Sequence, residues 1–340
     1  MSPLSRRVAL FFLVKGGNRN HGGAAYVTHL CRGLRAHDLN PVVVRVSSGF
    51  KVRKTGDAGA GHFGDGVPYL NMNVEAACAF SKQYRALIAV SHFQDFVPET
   101  HALLSAGVPW VLHAQANVPE PGHALEKPMR KVPIIAIRES LRQLANKLGC
   151  DARYIPHPYQ RVGTLEPHDR KEHAVVCSRI DFAKHTDVAI EANRLLPADK
   201  KIGIYGGINR MYAFHSLDKK YPEWREEHRG EFPLGRGVSI FRSAQWAVDM
   251  TYWSHDRGGT QYTFFEAWDA ERPLVLHRRW FDENEPTSRA ALFVDNAAEL
   301  ASLVGGGAPR ALVASAQAHA AGLLAEHGAA RVGAAYAALW

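Results

Sequence analysis

The sequence predicts an α/β protein made of two doubly wound domains, each with a parallel sheet flanked by helices. The chain has 340 residues, which suits two domains of roughly 150 residues each. Short β-branched or apolar runs alternate with helix-compatible stretches along almost the whole chain. The alternation pauses once, at Pro156 and Pro158, and then resumes. A second domain is therefore expected to follow the first.

The first domain is predicted over residues 1–160 and the second over residues 161–315. The predicted strands of the first are VALFFLV, PVVVRV, ALIAV, PWVLH and PIIAI. Those of the second are HAVVCS, KIGIYGG, GVSIF, VDMTYW and RPLVLH. Such apolar runs are typical of parallel strands that helices cover on both faces. The alanine-rich tail, residues 316–340, is predicted to form helices that pack back on the first domain.

The composition is that of a folded protein that does not span a membrane. Hydrophobic residues make up 46% and charged residues 22% of the chain, and no apolar run approaches the roughly 20 residues that cross a bilayer. The apolar stretch after Arg7 is too short for a secretory signal and is interpreted as the first strand. Four cysteines without C-x-x-C spacing indicate reduced thiols. We expect a cytoplasmic monomer.

The net charge of +8 lies at one end of the chain. Residues 1–60 hold ten lysines and arginines against two acids, so the rest of the chain is neutral overall. A basic first domain predicts an anionic partner such as nucleic acid, a phospholipid surface or a charged glycan, although a solvated basic face has the same composition. Lys51, Arg53 and Lys54 stand in a glycine-rich segment suited to following a phosphate backbone.

Glycines and cations follow several of the predicted strands. Two such domains are expected to face each other across a cleft, and proteins of this kind bind ligands beyond the carboxyl ends of their strands. Four glycines lie between the first strand and the first helix: Gly16, Gly17, Gly22 and Gly23. Backbone without side chains can approach a phosphate or sugar there, although a plain tight loop explains these glycines equally well. Arg179 and Lys184 follow one strand and precede a helix, where two cations can clamp a diphosphate.

The order of these motifs resembles that of the retaining GT-B glycosyltransferases of the glycogen-synthase-like type. The resemblance rests on the glycine loop, WVLHAQAN with His113, the strand before Arg179 and Lys184, IGIYGG, and FFEAWDAERPLVL with Glu266. It implies the GT-B fold, with a nucleotide sugar bound by the second domain and an acceptor by the first. In the family the last motif has two glutamates eight positions apart. Glu266 matches the second, Gly258 stands in place of the first, and whether Asp256 substitutes stays open.

Two stretches are similar to those of bacteriophage DNA alpha-glucosyltransferases: GTQYTFFEAWDAERPLVLHRRW and SRIDFAKHTD. Those enzymes glucosylate 5-hydroxymethylcytosine in duplex DNA. The similarity implies a UDP-sugar donor, double-stranded DNA with hydroxymethylated bases as acceptor, and action in the cytoplasm of a phage-infected bacterium. The basic first domain and the neutral second domain fit a polyanionic acceptor.

The resemblance and the positions of the strand ends together assign roles to the candidate residues. Glu266, expected at the head of a helix, holds the donor ribose, while Arg179 and Lys184 neutralise the departing diphosphate. His113 contacts the donor sugar, and Asp95 is the candidate general base. Further donor contacts are expected at Gly22, Gly23, Gly206, Gly207, Gly258, Gly259 and Thr260. Acceptor DNA is expected to contact Arg19, Lys51, Arg53 and Lys54.

Three hypotheses about function remain open. The first is glycosylation of hydroxymethylated pyrimidines in DNA, and the second is a GT-B enzyme acting on cell-envelope or lipid-linked glycans. The third is a non-catalytic DNA- or sugar-binding protein on the same fold, which Gly258 in place of an acid keeps open. No D-x-D or H-E-x-x-H motif offers a divalent site, so we expect a reaction that needs no metal and no cofactor besides the UDP-sugar.

Overall fold

In the computed structural model the chain forms two compact units. The first comprises residues 1–160 and 326–340, and the second comprises residues 161–325. The structure describes residues 6–14, 22–46, 61–163, 168, 171–233, 235–253 and 257–340. Several of the candidate residues lie outside these described residues: Gly16, Gly17, Arg19, Lys51, Arg53, Lys54 and Asp256.

The described residues of the first unit form one sheet of eight strands. They are β1 (Arg7–Leu13), β2 (Asn40–Val46), β3 (Gly61–Phe63), β4 (Val67–Met72), β5 (Arg85–Ser91), β6 (Trp110–Leu112), β7 (Ile134–Ala136) and β8 (Ala152–Tyr154). The strand order is β3-β4-β2-β1-β5-β6-β7-β8, and all neighbours pair in parallel except β3 with β4. Central β1 pairs with β2 and β5, and its residues 8–13 are buried, which explains its continuous apolar sequence.

The helices of the first unit connect these strands. They are α1 (Gly22–Arg35), α2 (Val74–Ser81), α3 (Val97–Ser105), α4 (Glu126–Met129) and α5 (Glu139–Lys147). Helix α1 is the longest, and most of its side chains are buried.

In the second unit, the part that the structure describes contains a sheet of five parallel strands. They are β9 (Ala174–Cys177), β10 (Ile202–Tyr205), β11 (Trp246–Asp249), β12 (Leu274–His277) and β13 (Leu292–Val294). Their order is β10-β9-β11-β12-β13. The sheet is flanked by α6 (Thr186–Leu195), α7 (Arg210–Tyr212), α8 (Gly237–Arg242), α9 (Tyr262–Asp269), α10 (Ala297–Gly306) and α11 (Arg310–Glu326).

One predicted strand is wrong. GVSIF, residues 237–241, lies in α8 and packs against α9 instead of joining the sheet. Its side chains are buried, and a short buried apolar run has the same hydrophobic pattern in a helix as in a strand. Periodicity therefore could not separate the two structures here.

The last helix, α12 (Ala329–Ala337), belongs to the first unit, whereas α11 up to residue 325 belongs to the second. Helix α12 crosses α1 closely at two glycines, since a Cβ added to Gly33 would come within 3.2 Å of the Cα atom of Gly333. The hydroxyls of Tyr26 and Tyr336 also form a hydrogen bond between the two helices. The end of the chain is thus fixed to the first unit.

The predicted fold class, two Rossmann-like α/β units with parallel sheets, is confirmed. Within the described part of the chain, no helix combines the length and the hydropathy that crossing a bilayer requires.

Candidate functional site

Lys184 is held at the carboxyl end of the second sheet. It follows β9, in a 3₁₀ turn over residues 182–184. Its Nζ atom donates hydrogen bonds to Thr251 Oγ1 at 2.8 Å and to Gln261 Oε1 at 2.6 Å. These partners stand just after β11 and just before α9, so the ammonium group joins the ends of two elements. The side chain is 14% exposed.

Asp249, the last residue of β11, organises the surroundings of Lys184. It is 2% exposed, and its Oδ2 atom lies 3.8 Å from Lys184 Nζ. Oδ1 accepts hydrogen bonds from the backbone N–H of Thr251, at 2.9 Å, and from its hydroxyl, while Oδ2 accepts from Thr263 Oγ1 at 3.0 Å. Asp249 was not among the residues predicted from the sequence. An acid at the end of a buried strand, in VDM, was the available signal.

Arg179 is bound more loosely than Lys184. Its side chain is 62% exposed, and its Nη1 atom lies 3.2 Å from Asp181 Oδ2. Asp181 also accepts hydrogen bonds from the backbone N–H of Phe182 and from Asn209 Nδ2. The loop is therefore ordered by Asp181, while the guanidinium group stays largely in solvent. One fixed cation and one exposed cation follow the same strand.

Glu266 is a buried carboxylate, 9% exposed, on α9. Within the described part of the chain its carboxylate has no hydrogen-bond or ion-pair partner. Burial raises the pKa of Glu266 to about 8, and the negative charge of Asp269 adds to the rise. Buried charged groups are normally paired, and an ionisable group with such a perturbed pKa marks a candidate functional site.

The predicted position of Glu266 on its helix is wrong. Helix α9 begins at Tyr262, so Glu266 is its fifth residue and stands in the second turn, not at the head. The favourable field of a helix N-terminus falls off within the first turn, and burial therefore dominates the pKa of this carboxyl.

Gly237, the first residue of α8, makes room for the Glu266 carboxylate. A Cβ atom added at Gly237 would lie 2.6 Å from the carboxyl carbon of Glu266 and would overlap its oxygens. No neighbouring side chain separates the carboxylate from the α8 backbone at this point. Gly237 was not predicted from the sequence, because only the fold brings residues 237 and 266 together.

Gly258 occupies a position that admits no side chain. Its φ of +84° lies in the left-handed region, and an added Cβ would come within 2.6 Å of Asp282 Cβ and Glu285 Cγ. This crowding is a physical reason for glycine where the resembling family has an acid. The next residues, Gly259 and Thr260, are buried, and Gly259 O accepts a hydrogen bond from Trp280 Nε1 at 3.0 Å.

Gly206 and Gly207 follow β10. Gly206 has a φ of +145°, and an added Cβ would overlap the carbonyl oxygen of Ser178. A Cβ on Gly207 would lie 3.2 Å from Glu231 Oε1. Close packing inside the second unit accounts for glycine at position 206, and donor binding by these two residues stays a prediction.

The candidate residues of the first unit stand at strand and helix ends. Gly22 and Gly23 are the first residues of α1, and Asp95 is exposed in a 3₁₀ turn after β5. His113 directly follows β6, where its Nε2–H donates a hydrogen bond to Ala89 O at 2.7 Å. Its ring also packs edge-on against Tyr26. These contacts fix the His113 ring, and its role toward a sugar stays a prediction.

The first unit also contains buried histidines that the sequence analysis did not single out. Burial lowers the pKa of His29 to about 3, with a further contribution from Arg32, and lowers that of His327 to about 4. Burial also holds the pKa of His157 well below its usual range. His29 accepts a hydrogen bond from the Gln160 N–H at 3.0 Å, and His327 Nδ1 bonds to the His157 carbonyl at 2.9 Å. These rings stay neutral at pH 7.

No family model matches the sequence, and no curated protein matches it. Solved structures do share the fold. The Anabaena protein HepE in complex with UDP and glucose has a TM-score of 0.68 at 11% identity, with 98% of this chain and 99% of that one covered. A glycosyltransferase from Rickettsia africae has a TM-score of 0.66 at 11% identity, with 98% and 97% covered.

An alpha-glucosyltransferase in complex with UDP-glucose and DNA containing an abasic site has a TM-score of 0.62 at 14% identity. The similarity covers 95% of this chain and 96% of that chain. The GT-B fold predicted from the sequence is therefore confirmed.

Proposed function

We propose that the protein is a UDP-sugar-dependent glycosyltransferase that moves glucose to the hydroxyl of a 5-hydroxymethylpyrimidine, 5-hydroxymethylcytosine above all, in DNA. The observation that carries the proposal is the Glu266 carboxylate, which is buried, faces the backbone at Gly237 and has no partner among the described residues. Proteins of the same fold have been solved with UDP, UDP-glucose and DNA, which supports a nucleotide-sugar donor and this acceptor.

Glu266 supplies what a donor ribose requires. Two vicinal hydroxyls can donate to the two oxygens of one carboxylate, and hydrogen bonds to a charged group stabilise more than neutral ones. The ribose would compensate the unfavourable burial of the charge that raises the pKa of this group. Donor binding and ionisation of Glu266 are then linked.

Lys184 and Arg179 supply positive charge for the diphosphate. Lys184 is already fixed by Thr251, Gln261 and Asp249, so it needs little reorganisation when the charge on the leaving group grows. Arg179 is exposed and can close on a phosphate as a planar fork. We assign Lys184 a role in stabilising the transition state and Arg179 a role in binding the donor.

The reaction replaces one bond to the anomeric carbon of the sugar by another. The bond from this carbon to the diphosphate oxygen breaks, and UDP leaves with the electron pair. The hydroxymethyl oxygen of the base bonds to the same carbon and gives up its proton. Exposed Asp95 is the candidate base for that proton. We assign a retaining outcome from the family resemblance.

The acceptor is assigned to the first unit through its charge. The +8 of residues 1–60 equals the net charge of the whole chain, and phosphate contacts dominate the affinity of proteins for DNA. The four residues proposed to contact DNA, Arg19, Lys51, Arg53 and Lys54, lie outside the described residues. Their contribution is therefore tested in solution.

The test of the proposal is transfer from radiolabelled UDP-glucose to duplex DNA with 5-hydroxymethylcytosine, compared with the same duplex containing cytosine. We expect label only in the first. Glu266→Ala should weaken UDP-glucose binding by about 2 kcal/mol, or roughly 30-fold. Glu283→Ala, which removes an exposed acid of the same unit, is the control. Unchanged affinity in Glu266→Ala would refute the ribose assignment, and label in lipid-linked glycans instead of DNA would favour an envelope enzyme.

The salt dependence of DNA binding tests the acceptor separately. The triple change of Lys51, Arg53 and Lys54 to alanine should flatten the plot of log affinity against log salt by roughly two to three units. Transfer to DNA should fall in the same variant, whereas slow hydrolysis of UDP-glucose, which needs no acceptor, is measured as the reference. Full transfer by this variant would contradict the assignment.

A further inference from the structure

Three large apolar side chains are exposed on the segments that follow β9 and β10, and these segments hydrogen-bond to each other. Phe182 is 51% exposed, Met211 is 60% exposed and Phe214 is 53% exposed. We call these three residues the apolar surface. Grouped exposed apolar side chains mark interaction sites more often than single ones do.

The apolar surface adjoins the loop that carries the two cations. Phe182 stands between Arg179 and Lys184 in the sequence, and its ring meets that of Tyr212 edge-on at 5.1 Å. The backbone N–H of Asn209 donates to Ile180 O at 2.9 Å, so residues 208–214 are tied to this loop. Met211 and Phe214 are three residues apart in a helical segment, which places them on the same face.

Cations stand beside the Met211 and Phe214 part of the apolar surface. Arg210 is exposed, and Lys219 Nζ lies 5.2 Å from the centre of the Phe214 ring, while Lys220 is already ion-paired with Glu191. The one acid in residues 209–220 is Asp218, whose carboxylate already accepts hydrogen bonds from Trp224 and Arg225. Exposed aromatics beside lysines and arginines are the pattern on which nucleobases stack while cations meet phosphates.

We infer that the apolar surface contacts nucleobases of the acceptor and fills the gap that the target base leaves in the duplex. The inference rests on the proposed function. A base inside a duplex cannot present its hydroxymethyl group to a donor without leaving the stack, and apolar side chains such as Phe and Met act as wedges when stacks open. A lipid surface fits these residues less well than nucleobases do. The helical segment of residues 210–217 offers only one short apolar face, and Lys219 lies over the Phe214 ring on it.

The test uses the full chain and duplex DNA with 2-aminopurine next to 5-hydroxymethylcytosine. Fluorescence of 2-aminopurine rises when its neighbour unstacks. We compare the wild type with a double variant, Met211→Ser with Phe214→Ala, and with Leu312→Ala, which removes an equally exposed apolar side chain on α11. In the double variant the fluorescence rise should disappear. The ratio of transfer on duplex DNA to hydrolysis of UDP-glucose should fall about tenfold or more, and Leu312→Ala should match the wild type.

Each result decides for or against the inference. A double variant with wild-type fluorescence and an unchanged ratio overturns it, while wild-type transfer to DNA leaves the proposed function standing. If the double variant no longer co-sediments with anionic vesicles, while its ratio of DNA transfer to UDP-glucose hydrolysis is unchanged, the inference is overturned in favour of a lipid contact. If the wild type transfers to no hydroxymethylated DNA, the proposed acceptor fails, and this inference fails with it.

Discussion

The two units bury ionisable side chains of different kinds. In the second unit, Lys184 and Asp249 are ionic partners after neighbouring strands, and Glu266 is buried on α9. In the first unit, His29 on α1 and His327 after α11 are buried, and burial keeps both rings neutral. The second unit thus holds prearranged charge in the Lys184–Asp249 pair, whereas these two rings of the first unit are uncharged.

The two arrangements give opposite pH dependences of stability. The pKa values of His29 and His327 are lowered from 6.5, so the unfolded chain binds protons that the folded unit excludes. Their contribution is present above pH 6.5 and is lost as the pH falls. The pKa of Glu266 is raised from 4.5 to about 8, so its folded state keeps a proton that the unfolded chain releases. Its contribution is present below pH 4.5 and is lost as the pH rises through 8.

The largest expected effect is the acid sensitivity of the first unit. Between pH 6.5 and 4 the free energy of unfolding should fall by about 3 kcal/mol for each of His29 and His327, because each pH unit costs about 1.4 kcal/mol per excluded proton. Hydrogen exchange read by mass spectrometry resolves the two units in the intact chain. In His29→Gln the free energy of unfolding should fall less between pH 6.5 and 4 than in the wild type, whereas the exposed His101→Gln should behave like the wild type. Parallel loss of protection in both units would contradict the assignment of this acid sensitivity to His29 and His327.

The next effect concerns the prearranged charge. Lys184→Ala should lower kcat by about 10²- to 10³-fold, as expected when a fixed group that stabilises transition-state charge is removed. Asp249→Asn keeps the shape of the side chain but removes the ionic partner, so kcat should fall less, with a small change in KM. The exposed Lys147→Ala is the control. If Lys184→Ala changed KM alone, Lys184 would serve donor binding and not the chemical step.

A smaller effect is expected at Gly237. Gly237→Ala should displace the Glu266 carboxylate and weaken UDP-glucose binding roughly tenfold, about 1.4 kcal/mol. Gly306→Ala is the matched control, because a Cβ atom there meets nothing within 4 Å. Titration calorimetry measures both affinities. Equal UDP-glucose affinities in the two variants would mean that donor affinity does not depend on the position of the Glu266 carboxylate.

The smallest effect is expected from chelation. With EDTA the turnover should stay nearly unchanged, since the proposal assigns the neutralisation of the diphosphate to Lys184 and Arg179. Activity that EDTA abolishes and manganese restores would contradict this assignment. Steady-state assays with and without the chelator measure the difference.

Much of the architecture could be predicted because the buried strands are continuous apolar runs. VALFFLV and HAVVCS predicted parallel strands; the first covers all of β1 but Arg7, and the second contains β9. GVSIF was the exception, since five consecutive buried residues carry no period that separates helix from strand. The residues after the strand ends, Arg179 and Lys184, could be named from position alone. Their partners could not, because Asp249 and Gln261 are far away in the sequence.

The fold class, the segregation of charge to residues 1–60 and the candidate cations after β9 could all be predicted from the amino-acid sequence alone. These follow from local patterns and from composition, which do not depend on distant neighbours. The tertiary structure decided the surroundings of each group: Gly237 opposite Glu266, Asp282 and Glu285 against Gly258, and Asp249 beside Lys184. It also decided which groups are buried and hence the opposite pKa shifts of Glu266 and the histidines. Burial and pairing arise only when distant segments pack, and no local pattern in the chain specifies them.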